Sequence, residues 1–256
     1  MTAGRRLGEV ALGILPIALV IALWHGIAVS GIAPAVLLPP PGAVFARLIQ
    51  QIGDPNFLGQ VGITLFRLFA GFSIALVVGV TLGVAATGSK TFESVIKPLV
   101  RVLAPLPKVA LYPAMVLILG FDDASKIALI VADAMFPILL ATYQGTSAVE
   151  PKLVWSARAA GTSQRAVLFK VVLMAAMPSV LTGCRIGLII SCIVVFLSEM
   201  ITSTDGLGHV LVRAARNFQT VDMFVPIIAI SLLGLALNAG FNALRARLLI
   251  GYPEES

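Results

Sequence analysis

Long apolar runs alternate along the chain with short polar connections rich in cations. Six runs stand out, at about Val10–Val29, Phe66–Ala86, Val100–Gly120, Ile127–Thr146, Ser179–Leu197 and Met223–Leu244. Each approaches the ~20 residues that a helix rising ~1.5 Å per residue needs to cross a hydrocarbon core of ~30 Å. The pattern predicts an all-α membrane protein with six transmembrane helices. The third run carries Pro105, Pro107, Lys108 and Pro113. Prolines remove backbone donors, so this run is expected to be a kinked or discontinuous span, or else a proline-rich interfacial segment followed by one short span. The first run follows Arg5 and Arg6 in the manner of a secretion signal. It is long enough to span, however, and no small-residue cleavage site follows it, so it reads as a retained helix.

Three segments outside the runs look structured. Leu38–Pro39–Pro40–Pro41–Gly42 is a stiff entry to a short amphipathic segment through Gln51, expected on the outer surface. Thr204–Asp205–Gly206–Leu207–Gly208 is a turn into an interfacial helix, His209 to Asn217. The longest connection, Val149 to Met177, sets alanines and Gly161 between charged residues, which suits two short helices meeting at a close turn. Gly161 would permit a backbone angle or an approach that a side chain blocks. Such a segment buries no core by itself, but it makes a rigid knob that a partner could grip.

Composition agrees with a membrane solvent: 59% of residues are hydrophobic and 12% charged, well above the roughly 45–50% apolar share of soluble domains. The net charge of +6 would suggest nucleic acid in a soluble protein. Here the cations follow topology instead. With six spans, Arg5, Arg6, Lys90, Lys97, Arg101, Lys152, Arg158, Arg165, Lys170, Arg245 and Arg247 share one side, against Arg47, Lys126, Arg213 and Arg216 on the other. Lys and Arg favour cytoplasmic loops, so both termini and the 149–177 connection are expected in the cytoplasm.

The chemistry of hydrolysis and metal binding finds little support. Cys184 and Cys192 lie on one run and cannot bridge each other, and His25 and His209 are isolated. Gly83–Val84–Ala85–Ala86–Thr87–Gly88–Ser89–Lys90 nearly spells a phosphate loop, but Ser-Lys reverses the required order and the string ends an apolar run instead of following a strand. Glu9, Glu93, Glu150, Glu199, Glu254 and Glu255 lie at or beyond run ends, where carboxylates are cheaply solvated. Gly71, Ala75, Gly79 and Gly83 form a smooth stripe that lets another backbone approach, from this chain or from a second copy. Two ionisable groups inside runs are harder to dismiss, Asp133 and Arg185. A charge there costs at least ~2.5–3.5 kcal/mol unless paired or wetted. Their depths differ by under roughly 10 Å, a gap an Arg side chain covers. They are therefore expected to form a structural ion pair, or Arg185 to meet an anionic substrate.

The 149–177 connection resembles the cytoplasmic loop of the permease subunits of bacterial ATP-binding-cassette importers. That loop reads Glu-Ala-Ala, three residues, Gly, nine residues, Ile-x-Leu-Pro. Ala157, Gly161, Val171 and Leu173 fall in register, while Trp155 replaces the acidic residue, Ser156 the first Ala and Met174 the Pro; Pro178 keeps a second proline common in the family. Further matches are Leu38–Pro39, Thr64–Leu65–Phe66–Arg67, Pro105–Leu106–Pro107 before Tyr112–Pro113, Phe136–Pro137–Ile138–Leu139–Leu140, Leu181–Thr182–Gly183–Cys184–Arg185, and Ser198–Glu199–Met200 with Gly206–Leu207–Gly208. Together and in order they are similar to the nitrate, sulfonate, taurine and bicarbonate branch.

The resemblance implies a type I importer permease fold over residues 1–256 as a single transmembrane domain in the bacterial inner membrane. It implies a homodimer with a second permease copy, two ATP-binding subunits docked on the loops, and an external solute-binding protein delivering a small anionic solute. ATP and magnesium would sit on the partner ATPase, with no cofactor, metal or catalytic residue on this chain. Trp155, Ala157, Arg158, Gly161, Val171, Leu173 and Pro178 would couple to the ATPase. Tyr112, Pro113, Met115, Asp133, Arg185 and Glu199 would line or support the translocation path. The rival is a secondary transporter of small organic anions, whose signature is paired broken helices in two symmetric halves. One broken run and no matching half disfavour it.

Overall fold

The computed structural model describes residues 3–32, 34 and 36–252, with side chains from residue 15 onward. The readings placed on the side chains of Arg5, Arg6, Glu9, Glu254 and Glu255 lie outside the described residues. All regular structure among those described is helical, in the order α1 (Ala3–Val29), α2 (Pro41–Ile52), α3 (Pro55–Gly88), α4 (Lys90–Leu103), a tight turn Lys108–Leu111, α5 (Tyr112–Leu119), α6 (Asp123–Ser147), α7 (Pro151–Ala159), α8 (Gln164–Val167), a π turn Leu168–Val172, α9 (Leu173–Ala175), α10 (Met177–Thr202), α11 (Leu207–Arg216) and α12 (Thr220–Leu248).

Among the described residues four helices, α3, α6, α10 and α12, are long and apolar enough to cross a membrane. The third expected span is a bent pair, α4 and Lys108–Leu119, meeting at 85° around the proline-rich break. The first corresponds to α1, whose described apolar portion is Leu15–Val29. Helix starts follow local chemistry. Asp54 accepts from the Asn56 N–H at 2.9 Å and Pro55 occupies the first turn of α3, where its missing donor costs nothing. This start lies well before Phe66, so Arg67 falls roughly three turns inside the helix and not at its edge.

α6 forms the centre, held between α3 and α10 by close backbone approach. A Cβ at Gly71, Gly79 or Gly83 would lie 2.6, 2.9 or 2.7 Å from Ile130, Ile138 or Thr142 of α6. The small-residue stripe therefore packs within this chain. Paired positions advance together, so α3 and α6 run parallel, and the segment between them must climb back along the bundle despite its bend. On the other side, a Cβ at Gly183 would meet Ala141 at 2.6 Å and one at Gly187 would meet Ile138 at 2.8 Å. Those positions advance in opposite directions, which makes α10 antiparallel to α6. The near-phosphate-loop string is the last turns of α3 followed by Ser89, the N-cap of α4.

α2, α11 and the start of α12 cover one end of the bundle. Val44 and Leu48 of α2 pack with Leu207 and Val225, Trp24 stacks on Phe224 at 5.5 Å, and Arg47 Nε pairs with Asp222 at 2.6 Å. The expected surface helices are thus present as α2 and α11. At the opposite end the Tyr252 hydroxyl donates to the Met174 carbonyl at 2.8 Å, which places the chain just after α12 beside the 149–177 connection.

Candidate functional site

The 149–177 connection is the two-helix knob that its sequence suggests. The Gly161 N–H donates to the Arg158 carbonyl at 2.9 Å and the Thr162 N–H to the Ala157 carbonyl at 3.1 Å, a double closure that satisfies the last carbonyls of α7. Gly161 sits at φ +81°, and nothing lies within 4 Å of where its Cβ would stand. Backbone angle is the reason for glycine here, and not close approach. Ser163 then caps α8 by accepting from the Ala166 N–H at 3.4 Å. α7 buries none of its residues, with Leu153 exposed and Trp155 66% exposed, and Phe169 of the return limb is exposed as well. The return limb differs from expectation: Val167 and Val172 are buried, and with Thr87, Thr146, Arg158 and Arg165 they surround a cavity of about 550 Å³ under the knob. The knob is thus anchored on one limb and bare on the other. Val171 and Leu173 are half-buried on the anchored limb, and Pro178 lies in the first turn of α10.

The expected Asp133–Arg185 pair does not form. Gly183 and Gly187 mark the face of α10 that meets α6, and at ~100° per residue Arg185 points away from it. Its Nε donates instead to Asn238 Oδ1 of α12 at 2.8 Å. Asp133 pairs with Lys108 at 3.2 Å. Lys108 is buried at the break of the bent pair. It donates to the Ala104 and Leu106 carbonyls at 3.0 and 3.3 Å and lies 4.6 Å from the Phe136 ring centroid. One side chain thereby satisfies two carbonyls at the break and ties it to α6. Tyr112 is fully buried with its hydroxyl accepting from Thr202 at 2.9 Å, so it supports the interior. Pro113 is exposed and Met115 half-buried.

The largest departure is Glu199, which is 1% exposed and not solvated at a helix end. Its carboxylate accepts from Arg67 Nη1 at 3.0 Å, from the Thr64 hydroxyl at 2.9 Å and from the Gly208 N–H at 3.0 Å. Arg67, 2% exposed, also pairs through Nε with Asp123 at 2.6 Å and through Nη2 with Asp205. Thr64 accepts from the Leu207 N–H at 2.9 Å, and Gln60 accepts from the Gly206 N–H at 2.5 Å. α3, α6, α10 and the turn into α11 are therefore fastened at one polar node. Gly206 is at φ +89°, and a Cβ there would run into the Glu199 carboxylate. Burial raises the affinity of the Asp205 carboxyl for a proton, but the Arg67 hydrogen bond and charge outweigh it and hold the group below its usual range. Thr64, Arg67, Asp123 and Asp205 are not among the site residues expected from the sequence. The available signal was Arg67 itself, a cation inside a long apolar helix that must find partners.

The profile of the family described as binding-protein-dependent transport system inner membrane component matches residues 75–249. The chain is 31% identical over 237 residues to a putative aliphatic sulfonates transport permease protein of Bacillus subtilis, covering 93% of this chain and 86% of that protein. It is 30% identical over 246 residues to the taurine transport system permease protein of Escherichia coli, covering 94% and 89%. Among solved structures, the inward-facing methionine ABC transporter MetNI contains a chain that superposes with a TM-score of 0.65 at 17% identity, covering 75% of this chain and 95% of that one.

Proposed function

The chain belongs to the family of binding-protein-dependent transport system inner membrane components, with the type I importer permease fold expected from its sequence, and on that premise we propose that it conducts a small organic anion of the sulfonate or taurine kind across the bacterial inner membrane. The observation that carries this reading is the bare limb of the 149–177 knob. Trp155 and Leu153 on this limb leave large apolar surfaces uncovered beside a rigid turn, as does Phe169 on the return limb, and a partner protein would bury them. The partner is an ATP-binding subunit holding ATP and magnesium, docked on Trp155, Ala157, Arg158 and Gly161, with the anchored residues Val171, Leu173 and Pro178 passing its movement to α10. Two copies of the chain form the pore, both termini face the cytoplasm, and an external binding protein presents the solute at the end that carries α2 and α11. The whole chain acts as one transmembrane domain. Pro113, Met115 and Arg185 contribute to the path, while Tyr112, Asp133 and Glu199 hold its frame.

Co-purification tests the reading. The chain is expected to retain an ATP-binding subunit through affinity purification in mild detergent, and Trp155→Glu is expected to release it while the permease still elutes as a folded species. If no ATP-binding subunit is ever retained, or if Trp155→Glu leaves retention and uptake unaltered, the importer reading fails.

A further inference from the structure

Arg185 is held differently from Arg67 and Lys108. Arg67 has three carboxylates and Lys108 has Asp133, whereas Arg185 has a single neutral partner, Asn238, and no carboxylate pairs with it among the described residues. A guanidinium carries five N–H donors and no acceptor. Asn238 spends its side-chain oxygen on Arg185 Nε and keeps two N–H donors. The pair is therefore rich in donors, with a fixed positive charge behind them. Asn238 also lines one end of a groove of about 380 Å³ between α10 and α12, whose walls, among them Leu188, Cys192, Ile227 and Ile230, are apolar. Asn238 is thus a polar end to the groove, and Arg185, which does not line it, stands behind that amide through the Nε bond. An amide donor backed by a positive charge suits an oxyanion carrying an aliphatic stem.

We propose that Asn238 and Arg185 form an oxyanion clamp for the solute in transit, the Asn238 amide presenting its donors at the groove and Arg185 supplying the positive charge behind it. The proposal rests on the import of a small anion inferred above. A lipid phosphate offers the same chemistry, but Arg185 lies eight residues into α10 from Met177, roughly 12 Å from the helix start. A headgroup would have to sink well into a hydrocarbon layer ~30 Å thick to reach it. A small free anion is not tethered to a leaflet in this way.

The test uses the complex with its ATP-binding and solute-binding partners, reconstituted in liposomes and also held in detergent. Asn238→Asp keeps the size of the side chain but sets a carboxylate against the guanidinium, neutralising it from within. In this variant taurine uptake is expected to fall about tenfold or more. The rise in melting temperature that 1-butanesulfonate confers on the wild type should vanish, while melting without ligand stays level or increases because an ion pair has formed. Asn238→Gln, which keeps an acceptor oxygen and a neutral amide, should recover part of both signals. The clamp is overturned if Asn238→Asp keeps wild-type uptake and stabilisation, or if 1-butanol stabilises as well as 1-butanesulfonate. It is overturned equally if the wild type responds to phosphatidylglycerol and not to butanesulfonate, which would give the site to lipid. Butanesulfonate stabilisation that depends on Asn238, in a complex that imports no anion, would uphold the clamp and sink the import reading instead.

Discussion

Glu199→Ala removes the shared acceptor at the polar node. The Thr64 hydroxyl and Gly208 N–H lose their acceptor, and Arg67 Nη1 keeps only the longer bonds to the Ser203 hydroxyl and the Asp205 carbonyl, both 3.3 Å, in a place that water reaches poorly, since Arg67 is 2% and Glu199 1% exposed. Breaking a buried ion pair by deleting one member costs roughly 3–5 kcal/mol, because the remaining charge is stranded. Asp123 and Asp205 still hold Arg67 through Nε and Nη2, and both are partly exposed, so the lower end of that range applies, about 3 kcal/mol. At ~2–4 °C per kcal/mol for a chain of this size, the melting midpoint should fall by roughly 6–12 °C. Thermal unfolding in detergent, followed by size-exclusion of the surviving folded fraction, measures the shift. Glu150 is the natural control, another carboxylate near a helix end but exposed, and Glu150→Ala should stay within about 0.5 kcal/mol of wild type. If Glu199→Ala and Glu150→Ala melt alike, the node is a solvated surface cluster and the reasoning is wrong.

The remaining expectations follow from single contacts. Gly161→Asn should keep most of the uptake and Gly161→Val should not, because Asn tolerates positive φ and a β-branched residue does not; space is no obstacle, and the strain in Val is on the order of 1–2 kcal/mol. Equal behaviour of the two variants would refute a backbone role. Gly79→Leu should prevent accumulation of folded protein, since a Cβ alone would stand 2.9 Å from Ile138 and from the Met135 carbonyl, and normal expression with normal melting would exclude this helix contact. The folded-state affinity of Asp205 for protons is depressed, so its charge stabilises the fold above its ordinary titration near 3.8 and loses that effect as pH falls through the lower folded value. The stability gap between wild type and Asp205→Asn should accordingly be constant from about pH 7 to pH 5 and close only below about pH 4. A gap that closes between pH 7 and pH 5 would show that Arg67 does not hold the carboxylate.

What could be read from the sequence depended on whether its cause was local. Apolar runs of membrane length come from composition alone, so α3, α6, α10 and α12 were visible, as was the proline-rich break that became the 85° bend. The turn at Gly161 closes through hydrogen bonds between neighbours in the chain, Thr162 to Ala157 and Gly161 to Arg158, and was equally plain. The small-residue stripe on α3 declared a close partner, but its identity as α6 was decided by packing. Pairing of charges was beyond reach. Whether Arg185 meets Asp133 or Asn238 depends on how far α10 is rotated about its axis, and the buried glycine pair Gly183 and Gly187 fixes that rotation only once α6 is in place. Likewise Glu199 looked solvated because apolarity alone cannot show that α3 begins at Pro55 and carries Arg67 inward to meet it. Hydropathy and turn chemistry belong to a segment, whereas rotation, register and the neutralisation of buried charge belong to the assembled bundle.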